Sequence, residues 1–553
     1  MRAPGYFLIS LVLLILSCSE QEKADHIYIN AKIWTGDSAK PWAEAIAVKY
    51  HTILFVGKNY LPYKGSQTII SDLQGKMMVP GFIDNHVHFL DGGYQLGNVN
   101  LRQANTIESF IAKLKEFVHN SPSNSWITGG DWDHEAWGGK LPKKEWIDSI
   151  TGEHPVLLSR YDGHMALANS IALRMGGINN NTESPAGGEI VRDPISREPT
   201  GILRDRATEL VEKVIPLPSA SELDEFLQRA TQHALSFGVT EVQDMGSFGG
   251  WKDLATYRRA YAKHTLGLRI YSFVPTSSWS RLDSFVKKNG WGDDQLHWGG
   301  LKGFVDGSLG STTAWFYQPY LDAPNSTGLQ VTDTHYLRKW ILQADSAGLQ
   351  VTNHAIGDRA NDWILGVYAE AIAKNGKRDR RFRVEHAQHL TRQAIPRFAQ
   401  LGVIPSMQPY HAIDDGRWAA KRLDEDRLKR TYAFRSLLDS KALLTFGTDW
   451  TVAPINPLEG IYAAVTRRTG DGKNPGGWYP EQKISVEEAL RCYTANSAYS
   501  GFQENVIGRL KAGMLADFVV LSDDLFNIPP EKIREVKVRL TVLNGKEVYQ
   551  EKL

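Results

Sequence analysis

Strand-like apolar runs alternate with helical patterns of about 10–15 residues through most of this 553-residue chain, and this alternation constrains its fold more than any other feature. Such alternation is typical of a parallel sheet whose strands are connected by helices. Because there are eight such runs, the pattern predicts an α/β fold, a (β/α)₈ barrel, whose functional side chains lie at the C-terminal ends of the strands. The eight runs are GFIDNHVHF, GVTEVQDMG, LRIYSFV, LKGFVDGSLG, LQVTNHAIGD, FRVEHAQ, GVIPSMQPY and LLTFGTDW.

Both ends of the chain carry short strand-like segments that are interrupted by Gly and Pro and stand outside this alternation. They predict a small β-sandwich built from residues 24–80 together with residues 508–553. The barrel is then expected to occupy residues 81–507. Residues from about 121 to 207 do not follow the alternation, and we interpret them as an insertion after the first barrel strand.

The overall charge argues against one class of partner. The chain has 63 basic and 62 acidic residues, a formal net charge of +1 and no long basic run. Because nucleic-acid binding relies on concentrated positive charge, no nucleic-acid partner is expected. A small molecule is the expected partner, and the sequence leaves open whether the chain forms a homo-oligomer.

The N-terminus, MRAPGYFLISLVLLILSC, is typical of an exported protein. Its apolar run from Tyr6 to Leu16 is too short for a membrane span and has the length of a signal-peptide core. The segment ILSC resembles the lipobox of bacterial lipoproteins, which implies that residues 1–17 are removed and that Cys18 is acylated. The protein is then expected in the bacterial cell envelope, and this anchor would be its only contact with a membrane. A plain cleaved signal or a cytoplasmic protein with an unusual start remains the alternative.

Two histidines, His86 and His88, follow a buried run and are two residues apart. In a strand, residues i and i+2 share a face, so both imidazoles are expected to point into the barrel mouth, with Asp84 below them. A pair of histidines alone is more often structural than metal-binding. Further candidate ligands on four other predicted strands make a divalent metal site the better interpretation; they are Lys302, His354, His386 and Asp449.

Lys302 is the unusual member of this set. A protonated ammonium would be repelled by a dication, and a buried lysine is costly unless it is neutralised or paired. Addition of CO₂ to the neutral amine would give a carbamate, an anionic ligand with two oxygens that can bridge two metal ions. The alternative is a simple ion pair with Asp306, four residues along the same strand.

Several segments resemble the amidohydrolase superfamily: PGFIDNHVHF, NHAIGDRA, RVEHAQ, GTDW and IGRLKAGMLADFVVL. KGFVDGSLGS and DGHMALANS are most similar to its N-substituted formamide deformylase-like, or YtcJ-like, branch. The resemblance extends from about residue 25 to the C-terminus. It implies a metal-dependent barrel flanked by a β-sandwich, which hydrolyses a carbon–nitrogen bond other than a peptide bond, as in an amide or an N-acyl or N-formyl amine.

The resemblance also implies roles for the candidate ligands. His86 and His88 would bind the more buried metal ion, His354 and His386 the more exposed one, and Lys302 would bridge the two. Asp449 would bind a metal ion and act as the catalytic base. One position departs from the expected pattern, because Thr312 follows GSLGS where an arginine is expected.

The ligand types determine the expected chemistry. Histidine nitrogens and carboxylates suit one or two Zn²⁺ ions, and zinc lowers the pKa of bound water to about 7. Mn²⁺ or Fe²⁺ would fit similar ligands. Asp449 would accept a proton from the attacking water and pass it to the departing amine. No serine or cysteine nucleophile is needed, and the only cysteine besides Cys18 is Cys492, away from the predicted barrel mouth.

Substrate contacts are harder to predict than metal ligands. Each candidate also has a structural interpretation, such as a local ion pair, a structural histidine or aromatic packing. The candidates are His164, Asp306, Asp358, Arg359, Trp450 and Trp132.

Two other functions remain open from the sequence. The same barrel could hydrolyse a cyclic amide or an ester, or it could be a non-catalytic, surface-anchored binding protein. All six candidate ligands are present, which argues against a barrel that has lost catalysis. Lys302 argues against a deaminase, since deaminases of the superfamily usually hold one metal ion and lack this lysine.

Overall fold

The computed structural model describes residues 22–160, 165–185 and 188–551. Its centre is a parallel eight-stranded sheet in which each strand is hydrogen-bonded to the next one along the chain. The sheet nearly closes into a barrel, because Val87 at the end of the first strand forms a parallel bridge to Trp450 beyond the last strand. The strands are β1 (Phe82–Val87), β2 (Val239–Asp244), β3 (Arg269–Pro275), β4 (Leu296–Phe304), β5 (Gln350–Ala355), β6 (Arg383–His386), β7 (Ile404–Met407) and β8 (Thr445–Phe446).

The barrel strands are buried on both faces, which explains why their sequences are nearly continuous apolar runs. All six residues of β1 and of β2 are buried. The first of the surrounding helices begins with a capping box, in which Ser219 and Glu222 satisfy each other's backbone N–H groups. The main helices around the barrel are Ala220–Ser236, Trp251–Ala262, Trp279–Asn289, Thr334–Ser346, Asp358–Asn375, Ala394–Leu401, Phe434–Asp439, Pro457–Thr466 and Val486–Cys492.

Further helices lie in the connections and in the insertion. They are Phe89–Leu96, Ile107–His119, Lys144–Thr151, Ser170–Met175, Glu209–Glu212, Pro409–Asp415, Glu425–Leu428 and Ala495–Ser500. Pro409–Asp415 directly follows β7, so it stands at the C-terminal end of the barrel. No helix in these described ranges is long and apolar enough to cross a membrane. The predicted signal peptide and Cys18 lie outside the described residues.

The predicted β-sandwich is confirmed, and the two ends of the chain build it together. Strand Phe518–Leu521 pairs antiparallel with Met77–Pro80, so a C-terminal strand closes against an N-terminal one. Residues of both sheets share an apolar core. One sheet has the order Thr52–Gly57, Ala45–Lys49, His26–Ile29, Ile69–Asp72, and the other Lys546–Gln550, Val538–Leu543, Phe518–Leu521, Met77–Pro80, Lys32–Trp34, Trp42–Ala43.

The insertion after β1 forms a sheet of its own and begins earlier than residue 121. Its first strand has only two residues, and the next helix, Ile107–His119, has the periodicity of a barrel helix, so the sequence pattern does not reveal this boundary. Trp132 is buried in the apolar core of this insertion. The strand order is Gly188–Arg192, Pro199–Asp205, Met165–Ala168, Leu157–Arg160, Gly129–Trp132, Val99–Asn100.

Candidate metal centre

Side chains from five barrel strands or the turns after them meet at the C-terminal end of the barrel. His86 Nε2 lies 3.4 Å from Lys302 Nζ and 3.4 Å from Asp449 Oδ1. His88 Nε2 lies 3.5 Å from the same oxygen of Asp449. The imidazole of His386 is 5.1 Å from that of His86 and 4.4 Å from that of His354, measured between ring centroids. The structure therefore brings together all six residues that the sequence proposes as ligands.

Hydrogen bonds orient the first two histidines. His86 Nδ1 is 2.6 Å from Glu385 Oε2, and His88 Nδ1 donates to the backbone oxygen of Gly246 at 2.7 Å. With Nδ1 engaged, each ring turns its Nε2 towards Asp449. Burial, and next the nearby Lys302, lower the pKa of His86 to about 4, so its imidazole is neutral at pH 7. A neutral imidazole with one free nitrogen is the form that binds a metal ion.

The backbone at the centre is strained. His386, Ala387 and Asp449 have φ angles of 72°, 43° and 58°. Positive φ is uncommon for residues other than glycine and costs free energy of order 1–3 kcal/mol, which the surrounding structure must offset. Here the Asp449 N–H donates to the His86 backbone oxygen at 2.7 Å, which ties the turn after β8 to β1. The strained turns thus hold two candidate ligands over the barrel mouth.

The donor set fits a divalent metal ion. One ligand atom each from His86, His386 and Asp449 lie within 4.8 Å of one another. His386 Nδ1 is buried and has no hydrogen-bond partner among the described residues. Because an unsatisfied buried polar atom costs about 1–3 kcal/mol, this nitrogen requires a further partner. Two imidazole nitrogens and a carboxylate are ligands that suit Zn²⁺, Mn²⁺ or Fe²⁺.

Lys302 is buried beside His86 rather than paired with an acid. Within the described ranges, no carboxylate oxygen lies within 4.0 Å of its Nζ. Burial lowers the pKa of Lys302 to about 8, which makes the neutral amine accessible. The carboxylate of Asp306 instead accepts backbone N–H groups of Trp315 (2.7 Å), Ile356 (2.9 Å) and Gly357 (2.8 Å). Asp306 therefore shapes the loops around His354, from which it is 3.7 Å away.

The side chains of the other predicted substrate-contact residues make local contacts. The carboxylate of Asp358 accepts the Tyr317 N–H at 3.0 Å, and the Arg359 guanidinium lies 4.6 Å from the Trp315 ring. The Trp450 ring packs against Phe89 and His233. His164 lies outside the described residues. A local loop contact and aromatic packing thus account for Asp358, Arg359 and Trp450.

A cavity of about 430 Å³ opens beside the candidate ligands. Its apolar wall is formed by Phe304, Leu309, Ile356, Trp418 and Val452. Polar side chains that the sequence analysis did not single out also line it: Gln388, His411, Asp414, Asp415 and Tyr432. The volume accommodates a small organic molecule next to the proposed metal centre.

Thr312, which stands where the resemblance predicts an arginine, contacts an arginine from another part of the chain. Its hydroxyl accepts a hydrogen bond from Arg422, and the same guanidinium donates to the Gly310 backbone oxygen at 2.9 Å. A positive charge is therefore present beside this loop although residue 312 does not supply it.

Glu385 is a site residue that the sequence analysis missed. Its Oε2 contacts His86, and its Oε1 accepts a hydrogen bond from Arg383 at 2.8 Å. Burial alone would raise the pKa of Glu385, but Arg383 and His86 hold it well below its usual range. The alternation of Arg383 and Glu385 along β6, two residues apart, was the signal that both face the barrel interior.

A Glu385→Gln variant is expected to bind the metal ion about 10–100-fold more weakly, the usual cost of losing the acid that orients a ligand histidine. A chelator competition titration measures this affinity directly. Glu504→Gln is the matched control, because Glu504 pairs with Arg381 and has no contact with the proposed ligands. Equal affinity in the Glu385→Gln variant and the wild type would contradict this role.

Comparison with known proteins agrees with the fold. The model of the amidohydrolase family matches residues 70–549. The protein LONG AFTER FAR-RED 3 of Arabidopsis thaliana is 43% identical, and the alignment covers 95% of this chain and 92% of that protein. A Bacillus subtilis (strain 168) protein named as an amidohydrolase, YtcJ, is 33% identical over 88% of this chain and 92% of its own. The N-substituted formamide deformylase of Arthrobacter pascens is 26% identical over 94% of this chain and 97% of its own.

A solved structure extends this agreement to three dimensions. The crystal structure of an uncharacterized metal-dependent hydrolase from Pyrococcus horikoshii superposes with a TM-score of 0.76 at 28% identity, covering 91% of this chain and 99% of that one. The family model alone spans most of the chain. The chain belongs to the amidohydrolase family, in its YtcJ-like branch, whose members have the fold of metal-dependent hydrolases.

Proposed function

We propose that this protein is a hydrolase that cleaves a non-peptide carbon–nitrogen bond, in an amide or an N-acyl or N-formyl amine, with the help of a divalent metal ion. The observation that carries the proposal is the group of ligand atoms from His86, His386 and Asp449, within 4.8 Å of one another beside the 430 Å³ cavity. The name of the Arthrobacter pascens relative, an N-substituted formamide deformylase, supports the bond type.

The residues that would hold one or two metal ions, with Zn²⁺ preferred, are His86, His88, Lys302, His354, His386 and Asp449. A bound divalent ion supplies Lewis-acid polarisation of a carbonyl oxygen and a lowered pKa of water. For Lys302 to act as a ligand it must lose its positive charge. A carbamate formed from CO₂ provides this, and the buried position of the amine beside His86 supports it.

Asp449 is the proposed proton carrier. Burial opposes its ionisation, but His86 and His88 hold the pKa of Asp449 below its usual range, so it is an anion at neutral pH. It accepts a proton from the attacking water and then donates it to the amine nitrogen as the carbon–nitrogen bond breaks. Phe304, Leu309 and Trp418 form an apolar wall of the cavity in which the reacting carbonyl would lie.

A substrate screen tests this function. Purified, metal-loaded protein is offered N-acyl amines, N-formyl amines, hydantoins and esters, and released amine or acid is measured. We expect amine release from one of the first two groups and its loss after treatment with a chelator. Turnover confined to hydantoins or esters would refute the proposed bond type.

We also propose that Cys18 is lipidated and anchors the exported chain to a membrane of the bacterial cell envelope. The apolar run and the ILSC segment support this. Intact-mass analysis of the mature chain should show a diacylglycerol-modified Cys18 at its N-terminus, and Cys18→Ala should leave the membrane fraction. Cys492→Ala, which changes the other cysteine, is the control. An unmodified Cys18 on the mature chain would end the proposal.

A further inference from the structure

His411 contributes an unused polar atom beside the proposed metal centre. It lies on the helix Pro409–Asp415 that follows β7, and it lines the cavity. Its Nε2 is buried and has no hydrogen-bond partner among the described residues. Since a buried nitrogen without a partner costs about 1–3 kcal/mol, this nitrogen is available to a polar group that enters the cavity.

The position of His411 favours a substrate contact over a metal contact. Its ring is nearly parallel to that of His386, with 12° between the planes, but the centroids are 6.3 Å apart. His86 and His88 approach the Asp449 carboxylate to within 3.5 Å, whereas in the described part of the chain no carboxylate oxygen lies within 4.0 Å of a ring nitrogen of His411. His411 is therefore separated from the proposed ligands by a gap that a small chemical group could fill. The reacting part of a substrate would lie in this gap.

Asp415, one helical turn after His411, supplies a hydrogen-bond acceptor to the same cavity. Residues i and i+4 of a helix lie on one face, with their Cβ atoms about 5–6 Å apart, so Asp415 and His411 face the same cavity. Its Oδ2 accepts hydrogen bonds from Gln388 Nε2 at 2.9 Å and from the Tyr432 hydroxyl at 2.7 Å. In the described part of the chain, no hydrogen-bond donor is assigned to its Oδ1, and no lysine or arginine lies within 4.0 Å of its carboxylate. One carboxylate oxygen is therefore left for a donor on a ligand.

We propose that His411 donates from Nε2 to the carbonyl oxygen of the substrate while Asp415 accepts the N–H of the same amide through Oδ1. This inference rests on the proposed function and narrows it to amides that carry an N–H, such as secondary amides. An ester or an N,N-disubstituted amide has no such N–H and would leave the Asp415 oxygen unpaired. Sites built to bind a polar hydrogen reject analogues that lack it. His411 and Asp415 would therefore select the substrate by its bond type.

The two residues are expected to act at different stages of the reaction. Negative charge builds up on the carbonyl oxygen when water attacks, so the bond from His411 strengthens in the transition state and contributes to kcat. The amide N–H is present from the start, so Asp415 contributes to binding and orientation. Removing His411 should therefore lower kcat, whereas changing Asp415 should raise KM and reduce the discrimination among substrates.

The first experiment replaces His411. His411→Ala should lower kcat/KM for a secondary amide by about 10²–10³-fold, the cost of losing one hydrogen-bond donor to a developing oxyanion. Its metal content, measured by elemental analysis, should equal that of the wild type. His411→Gln keeps an N–H donor and should recover part of the loss. His335→Ala, on an exposed helical histidine, is the control for the loss of an imidazole.

The second experiment compares three substrates that share their acyl and leaving groups: a secondary amide, its N-methyl derivative and the ester. The wild type should prefer the secondary amide over its N-methyl derivative by at least about tenfold. In Asp415→Asn, the donors from Gln388 and Tyr432 hold the new amide oxygen and turn its N–H₂ towards the substrate. Donor then faces donor, so the preference should disappear. Asp426→Asn, in a surface pair with Arg392 and Arg430, is the matched control.

The outcomes separate this inference from the proposed function. A wild type that releases no amine from any amide would refute the proposed function itself. With an active wild type, His411→Ala activity within about threefold of the wild type would overturn only the role of His411. Loss of metal from the His411 variants would make His411 a ligand and overturn it too. An unchanged preference for the secondary amide in Asp415→Asn would overturn the role of Asp415.

Discussion

Asp449→Asn is expected to keep the fold and to lower amide hydrolysis by about 10²–10⁴-fold, the contribution of a positioned general acid–base group. The amide of Asn has the shape of the carboxylate but accepts no proton from water. The substitution is also compatible with the backbone, because Asp449 has a φ of 58° and Asn tolerates this region. The loss can therefore be assigned to chemistry rather than to a distorted turn.

The measurement is kcat/KM at matched metal occupancy, with the metal content of each sample determined separately. Asp439→Asn is the control, since Asp439 pairs with Arg435 near the surface and lies outside the cavity. Near wild-type turnover by a metal-loaded Asp449→Asn variant would exclude Asp449 as the proton carrier. A variant that loses activity only because it loses metal would identify Asp449 as a ligand without a proton-transfer role.

Lys302→Ala is the second change with a large expected effect. If Lys302 carries a carbamate that bridges two ions, the variant should lose the bridge and the metal content should fall from about two ions to one or fewer. Activity should fall with it. Acetate or formate can enter the vacated space and supply carboxylate oxygens. Each of these ions should therefore restore part of the metal content and part of the activity.

A second variant makes this test sharper. Lys302→Arg keeps the positive charge but cannot form a carbamate under these conditions, because a guanidinium is not deprotonated in proteins. It should lose metal and activity as the Ala variant does but, unlike the Ala variant, should not respond to acetate. In the intact protein, acid should release about one CO₂ for each metal-loaded site. Unchanged metal stoichiometry in Lys302→Ala would end the carbamate proposal.

Much of the fold was predictable because it depends on local sequence patterns. The eight apolar runs that alternate with helical segments became β1–β8, and the segments at the chain ends became the sandwich. The start of the insertion was not predictable, because a two-residue strand at Val99–Asn100 has no periodicity to recognise. The length of a strand or helix, more than its composition, decided whether its boundaries could be predicted from the sequence.

The candidate ligands were predictable for the same local reason. His86 and His88 share a face because a strand has a period of two, and His354, His386 and Asp449 stand at strand ends that the barrel brings to one edge. The resemblance to a known family then assigned them roles. The convergence at 3.4–3.5 Å of His86 and His88 around Asp449 follows from these positions once the barrel closes.

Contacts between distant strands were decided only by the tertiary structure. The sequence allowed Asp306 to pair with Lys302, but its carboxylate is taken by three backbone N–H groups of neighbouring loops. Trp450 follows a candidate ligand in sequence, yet its ring turns towards Phe89. Neither outcome follows from spacing along the chain, because each depends on which loops the barrel places side by side.

The sequence by itself determined the barrel, the sandwich and the set of residues able to bind a metal ion, since strand period and strand ends are local properties. The tertiary structure decided how these residues are held and what surrounds them. Glu385 reaches His86 across 299 positions of sequence, and the cavity joins His411 and Asp415 to residues of β4, β5 and β6. Such partners are set by the register and closure of the whole barrel, which brings side chains together regardless of their separation along the chain.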